Sequence, residues 1–507
     1  MIRAYYDVVI VGAGIAGTIA ALQTAKLRAD LSILVVSKGE LHECSSQLAQ
    51  GGIALPHTNS AEDLEQHLMD TLVAGNMDCS VHAVQAILAY APVLIEYLEQ
   101  YGVAFDRVSD NCFHYALEGG HSRPRIVHVA DATGATIMAA LHAALVSTSN
   151  IDVAEGYRLV RLQQVTNALW NLTLYQSSMH TEYLVEAGQI VLAMGGSGSA
   201  FGFTSNMTSS LGDSIGVVGG IDVEIRDLQW MQFHPTVMIT AEGNAGMPLV
   251  TEALRGVGAH LLNAHGERFM SRYHMQGELA PRDVVTKAMH LEIETTGIDN
   301  VFLDCRHVPT DTLQTYFPSF IATCARLNLN PSMECIPVRP GAHYQCGGIV
   351  AGVDGATSVK GLSVVGECAC TGMHGSNRLA SNSLLEAGVM ALKAAARIAS
   401  GSAHRGGGTE SAQFIVTQCE ADSSIAHERI SNLLEELRAH LHNIATCNHE
   451  ERVEQSVQDL ISKIVAEVAS YLGLGDVVYD ARTLVSYATA YLFDRATKMN
   501  QPPQLLG

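Results

Sequence analysis

The run "VVIVGAGIAGTIAALQTA", residues 8–25, restricts the fold more than any other stretch of the chain. It carries no charge until Lys26 and follows Arg3, so composition alone would allow a signal sequence or a membrane span. Its character changes midway. The first four residues are β-branched and strand-like, Gly12, Gly14 and Gly17 then come in the spacing G-x-G-x-x-G, and the remainder reads as a helix. A strand, a glycine turn and a helix explain the segment better than an anchor does. In that context the first glycine permits a tight turn, the second lets backbone approach a pyrophosphate, and the third allows close helix–strand contact. The helix N-terminus stabilises the phosphate charge.

The residue expected at the end of the second strand, facing the ribose hydroxyls, is acidic in an ordinary NAD site. Here "VVSKG" places Ser37 and Lys38 there, which argues against NAD. A second glycine-rich segment, "SSQLAQGGIALP" (45–56), comes soon after. Two such segments close together suit a long ligand such as FAD.

A chain of 507 residues predicts two or three domains. Its 30 Lys and Arg against 51 Asp and Glu leave a net charge of −21, which disfavours nucleic acid and anionic membranes as partners. Any anionic substrate must therefore be captured by local cations. The eleven cysteines contain no C-x-x-C pair, so reduced thiols in a cytoplasmic protein are expected, with no metal site.

Short apolar runs alternate with helical stretches through residue 225, as in "LSILVVSKG" and "AGQIVLAMGG". From 226 to 343 the texture changes to histidines and Arg-Gly pairs. A strand pattern returns with "GLSVVGECA" (361–369), and beyond the glycine-rich "SGSAHRGGGTE" (400–410) the chain reads as amphipathic helices. This order predicts an α/β domain in two parts, 1–225 and 344–410, interrupted by an inserted unit at 226–343 and succeeded by a helical domain at 411–507.

The inserted unit and the returning α/β segment carry a charged constellation. "MQFHPT" places His234 before a proline, and "TEALRG" places Thr251, Glu252 and Arg255 with the last two one helical turn apart. "APRDVV" sets Arg282 at a helix start, "AHYQCGG" sets His343 before paired glycines, and "HGSNRLASNSLLEAG" sets Arg378 ahead of a helix. Singly, a histidine is more often structural and a Glu–Arg pair at this spacing is commonly a surface ion pair. Together they describe a pocket for carboxylates, which arginine binds bidentately.

These pieces, with "AQGGIA", "EGGHSRPRIVHVADATG" and "GECACTGMHGSNRLASNSLLEAG" in the same order, resemble the succinate dehydrogenase/fumarate reductase flavoprotein family from Asp7 to about Ser400. The resemblance implies a Rossmann-like, discontinuous FAD-binding domain, an inserted α+β capping domain and a C-terminal helical domain. It implies FAD contacts at Ala13, Ile15 and Ala16 beside the three glycines, and at Lys38. Further contacts fall at Ser45, Ser46, Gln47, Leu48, Ala49, Gln50, Gly51 and Gly52, then at Arg158, Leu159, Asp213, Glu367, Ser383 and Leu384. Family members that tether FAD carry a histidine where this chain has Ser45, so non-covalent FAD is implied; His42 is out of register.

By the same resemblance Arg378 grips a substrate carboxylate, and His234, Thr251, Glu252 and His343 complete a dicarboxylate pocket. Arg282 carries the catalytic proton, relayed through Glu252 and Arg255. Diacid-handling members have an apolar residue where "EGGHS" has Glu118, which offers a partner for an α-ammonium group. The implied activity is hydride transfer from L-aspartate to FAD, giving iminoaspartate, with reoxidation by O2 (yielding H2O2) or by fumarate. That reaction is the first step toward quinolinate and NAD, and implies transient contact with the quinolinate-forming enzyme. A soluble fumarate reductase is the rival reading. "TSNMTSSLGDSIG" departs from the family's usual form while keeping Asp213, and the ending "FDRATKMNQPPQLLG" departs further.

Overall fold

The computed structural model describes residues 2–57, 60–110, 112–240, 246–401, 413–415, 424–447, 451–470 and 476–499. The glycine-rich 402–410 and the terminal 500–507 lie outside the described residues. The β-branched start of the chain forms β1 (Tyr5–Val11), which turns through Gly12–Gly14 into α1 (Ile15–Leu27). β2 (Ile33–Ser37) and β3 (Ile151–Glu155) come next, and then a meander of β4 (Tyr157–Thr166), β5 (Leu169–Gln176) and β6 (Thr181–Leu192). These strands lie in the order β3-β2-β1-β6-β5-β4. The first four pair in parallel, and β6, β5 and β4 pair antiparallel. β2 is buried at every residue, as expected of a parallel strand covered on both faces. β4 exposes most of its second half.

The glycine spacing acts locally in the way the sequence predicts. Gly12 has φ +112°, and a side-chain carbon there would lie 2.0 Å from the Ala193 carbonyl oxygen. At Gly17 such a carbon would lie 1.9 Å from the Gly12 carbonyl oxygen. Only glycine allows the turn and lets α1 pack this tightly on its own strand end.

The inserted unit contains β7 (Met231–Met238), α2 (Glu252–Gly256), β8 (His260–Leu262), α3 (Arg282–Thr296), β9 (Val301–Asp304) and β10 (Ile336–Gln345). Its sheet runs β7-β10-β9-β8, all antiparallel, over its own apolar cluster running from Met238 to Val338. The chain then returns: β11 (Leu362–Val364) pairs in parallel with β6, and α4 (Asn382–Ser400) packs on α1. The Rossmann-like layer is thus built from two separated parts of the sequence.

The C-terminal segment opens on a strand that the helical reading of 411–507 did not include. β12 (Gln413–Ile415) pairs antiparallel with β6; three residues are too few for an alternating pattern to register. Helices α5 (Ser424–Cys447), α6 (Glu451–Ser470) and α7 (Asp476–Met499) complete the segment and pack on one another. Among the described residues one stretch, Val81–Gln100, has the length and apolarity of a membrane span. It is divided into helices Val81–Leu88 and Ala91–Gln100, and Leu88, Leu94, Ile95 and Leu98 are buried in the core.

Candidate active site

A cleft of about 860 Å³ runs along the carboxyl ends of β1 and β2 and continues to residues of the inserted unit, within the size range of cofactor and ligand sites. Two helix N-termini open on it. Gly14, Ile15 and Ala16 bring the first turn of α1 to the wall, where the Ser46 hydroxyl accepts from the Ile15 N–H at 3.1 Å. Ser383 and Leu384 bring the first turn of α4. Free N–H groups and the helix dipole at each end favour anionic groups.

Of the residues the sequence assigns to FAD, Gly12–Ala16, Lys38, Ser45, Ser46, Leu48–Gly52, Arg158, Leu159, Asp213, Glu367, Ser383 and Leu384 line this cleft. Gly17 and Gln47 do not. Gly17 is consumed by the packing of α1 on the Gly12 carbonyl. Gln47 sits in the 3₁₀ turn Ser45–Leu48, whose residues point about 120° apart, so one of the set is turned from the wall. His42 is exposed, pairs with Glu40 at 3.2 Å and does not reach the cleft. Gln50 Oε1 and Arg158 Nε and Nη1 are buried without a hydrogen-bond partner. Orphaned buried polar atoms are costly, and here they lie in the wall of a cleft with two positive helix ends. These unmet donors and this acceptor fit a long dinucleotide. Glu367, which accepts from the Gln345 N–H at 3.0 Å, is raised to about 7 by burial.

The charged constellation assembles at the inserted unit's side of the same cleft. Pro235 would break a regular strand, and the β7–β10 register slips between His234 and Val237, an irregularity that accommodates the proline and aims His234 inward. The Thr236 N–H donates to His234 Nδ1 at 3.2 Å, leaving the proton of the neutral ring on Nε2. Thr251 caps α2 by accepting from the Ala253 N–H, which puts Glu252 in the first turn. Arg282 opens α3 directly after Pro281.

Glu252 is the electrostatic centre. Its Oε1 accepts from Arg282 Nε at 2.6 Å and lies 3.1 Å from Arg255 Nη2 and 3.8 Å from His234 Nε2. Burial pushes its pKa up, but Arg282 and Arg255 outweigh that and hold it below the usual carboxylate range. Arg255 does not line the cleft: it stands behind Glu252 and donates to the Glu278 carbonyl. The sequence spacing placed the Glu252–Arg255 pair correctly but not which face of it is wet. Arg282 also donates to Gln232 Oε1 at 2.8 Å, while Gln232 Nε2 donates to Asn377 Oδ1 at 2.7 Å and to the Arg378 carbonyl at 2.6 Å. One amide therefore ties the Arg282 side chain to the Arg378 backbone.

Arg378 is buried, lies over the Tyr344 ring at 4.4 Å and has an unpartnered Nε. Burial, and then the charge of Arg282, lower it to about 10. His343 bonds Ser205 Oγ at 2.8 Å, and its ring meets that of His234 at 5.1 Å. Burial, and then Arg282, keep both imidazoles far below their usual range, hence neutral. Glu118 is buried on the same cleft and accepts from the Ser381 hydroxyl at 2.5 Å. Its pKa is raised, first by burial and then by the charge of Glu252. Ser381 holds φ +58°, a strained conformation for a non-glycine residue.

Gln232, Ser381, Tyr344 and Ser205 were not singled out in the sequence. Gln232 lies within the quoted "MQFHPT" and Tyr344 within "AHYQCGG", so the signal was present as a motif without a role. Ser205 likewise lies within the quoted "TSNMTSSLGDSIG".

Comparison with known proteins agrees with this geometry. The FAD binding domain family matches residues 7–384. The chain is 41% identical over 406 residues to the L-aspartate oxidase of Streptomyces coelicolor, covering 79% of this chain and 69% of that one. It is 40% identical over 398 residues to the L-aspartate oxidase of Neisseria meningitidis serogroup B, covering 78% of each. A solved quinol-fumarate reductase structure with menaquinol molecules superposes with a TM-score of 0.83 at 26% identity, covering 98% of this chain and 91% of the other. A Rossmann-like cleft with two helix ends, a buried Arg–Glu–Arg row and this degree of identity place the chain in the L-aspartate oxidase family, FAD-dependent oxidoreductases of the succinate dehydrogenase/fumarate reductase flavoprotein group.

Proposed function

We propose that this enzyme oxidises L-aspartate to iminoaspartate. The observation that carries the reading is Glu118: its buried carboxyl, bonded to Ser381 rather than paired with an arginine as Glu252 is, faces the same cleft as Arg282, Arg378, His234 and His343. A plain diacid needs cations only, whereas an amino diacid needs cations and one anion. Bound FAD supplies the two-electron acceptor at this site. Arg378, Thr251 and the neutral imidazoles hold the substrate carboxylates, and the Glu118 carboxylate receives the α-ammonium group. An arginine side chain stays protonated in proteins, so the proton path through Arg282 requires it to pass one to Glu252 as it takes one from the substrate. Arg255 keeps Glu252 anionic between turnovers.

Reoxidation by fumarate is supported by the likeness to a quinol-fumarate reductase; O2, giving H2O2, is the other acceptor in this reading. Iminoaspartate hydrolyses readily, so a consuming enzyme must act at once; formation of quinolinate, and from it NAD, is the fate that fits, with transient contact between the two enzymes. The free thiols of the nine described cysteines suit the cytoplasm. Soluble fumarate reduction is the second reading, favoured by the same structural likeness.

Anaerobic mixing of the yellow protein with L-aspartate is expected to bleach the flavin absorbance within the turnover time, while succinate leaves it nearly unchanged. Bleaching by succinate and not by L-aspartate would reverse the two readings.

A further inference from the structure

We propose that the C-terminal helix α7 is part of the cofactor site: Asp480 orients the Arg158 guanidinium so that its free N–H groups bind the adenosine half of FAD. The second strand lacks the acidic residue that dinucleotide folds place opposite the ribose, and Lys38 stands there instead. In three dimensions the negative charge is supplied from elsewhere. Lys38 Nζ lies 3.1 Å from Asp213 Oδ1 and 4.0 Å from Asp480 Oδ1, and Arg158 Nη2 donates to Asp480 Oδ1 at 2.7 Å. All four side chains line the cleft beside the end of β2.

Arg158 is 6% exposed, yet its Nε and Nη1 have no hydrogen-bond partner. A guanidinium held at one nitrogen by a carboxylate presents its remaining donors in a fixed plane. Ribose hydroxyls and phosphate oxygens are acceptors of the kind those donors require. The carboxylate that sets the plane does not belong to the Rossmann-like layer. It comes from a helix that is itself pinned at three points, with Tyr479 donating to Glu182 of β6 at 2.7 Å, Ser177 of the turn before β6 donating to Asp476 at 2.8 Å and Tyr487 donating to Gln345 of β10 at 2.7 Å. Retention of FAD therefore depends on the docking of α7.

Asp480→Asn in the full-length chain tests this. Apoprotein is titrated with FAD and, separately, with FMN, which lacks the adenosine half, and the quenching of flavin fluorescence is monitored. Loss of one charge-assisted hydrogen bond is expected to raise the FAD dissociation constant about tenfold and to leave that of FMN at the wild-type value. Arg158→Gln is expected to act in the same direction with the same selectivity. An unchanged FAD constant in both variants, or an equal loss of FAD and FMN affinity, overturns the proposal, since the second result would mark general packing damage.

Discussion

Arg282→Leu is expected to keep FAD and to lose about 10³-fold in kcat, within the range for removal of a positioned proton carrier. The geometry makes the loss specific. Arg282 is the cleft-lining side chain that bonds Glu252, at 2.6 Å, and it also bonds Gln232 at 2.8 Å. Leucine can do neither. Glu252 would then be left with Arg255 as its main compensating charge, and its pKa would climb, because Arg282 is the strongest of the charges that lower it. The buried carboxylate would cost stability as well, by about 3 kcal/mol if left uncompensated. Arg282→Lys separates the two effects: it retains the positive charge beside Glu252 but cannot hold Gln232 at the same time. We expect it to fold normally, to bind fumarate with near-native affinity and still to lose about 100-fold in kcat. Stopped-flow flavin reduction under anaerobic conditions measures the step directly. Wild-type reduction rates in a Leu variant that holds its flavin would remove Arg282 from the proton path.

Glu118→Gln is expected to lower kcat/KM for L-aspartate about 100-fold, while binding of succinate or fumarate is unchanged or tighter. Removing one partner of a buried, hydrogen-bonded charge pair costs about 2–5 kcal/mol, and the amide keeps the shape and the Ser381 contact. The pH dependence has a definite sign. Burial, and then the Glu252 charge, raise the Glu118 pKa in the free enzyme, and only the ionised form attracts an ammonium group. The value of kcat/KM for L-aspartate should therefore rise as pH climbs through that raised pKa, and this limb should vanish in the Gln variant. His234 and His343 should contribute no limb near neutrality, since both are already neutral there. A Gln variant with undiminished preference for L-aspartate over succinate would remove Glu118 from substrate selection.

Much of the scaffold was legible along the chain because its causes are local. β-branched residues leading into Gly12, Gly14 and Gly17 leave few conformations other than strand, turn and helix, and the clashes at Gly12 and Gly17 show why. The return of the chain to the first sheet at Leu362–Val364 was likewise visible as a second apolar run. The three-residue strand at 413–415 was not, since its pairing with β6 rests on backbone hydrogen bonds that no side-chain pattern encodes. The candidate site was legible as a list of residue types. Its wiring was not: Gln232 contacts Asn377 and Arg378 some 145 residues away, and Ser381 contacts Glu118 across 263.

Sequence by itself determined the strand–glycine–helix cradle, the return of the chain to the first sheet and the residue types that line the cleft. Each of these depends on steric or chemical properties of neighbouring residues. Only the tertiary structure decided which face of the Glu252–Arg255 pair meets the cleft, how one amide joins two arginines, and that the Asp480 carboxylate of α7 meets Arg158 and Lys38 beside the end of β2. Those features depend on burial and on distances between remote segments, and an ion's pKa or an arginine's orientation exists only once its surroundings have closed around it.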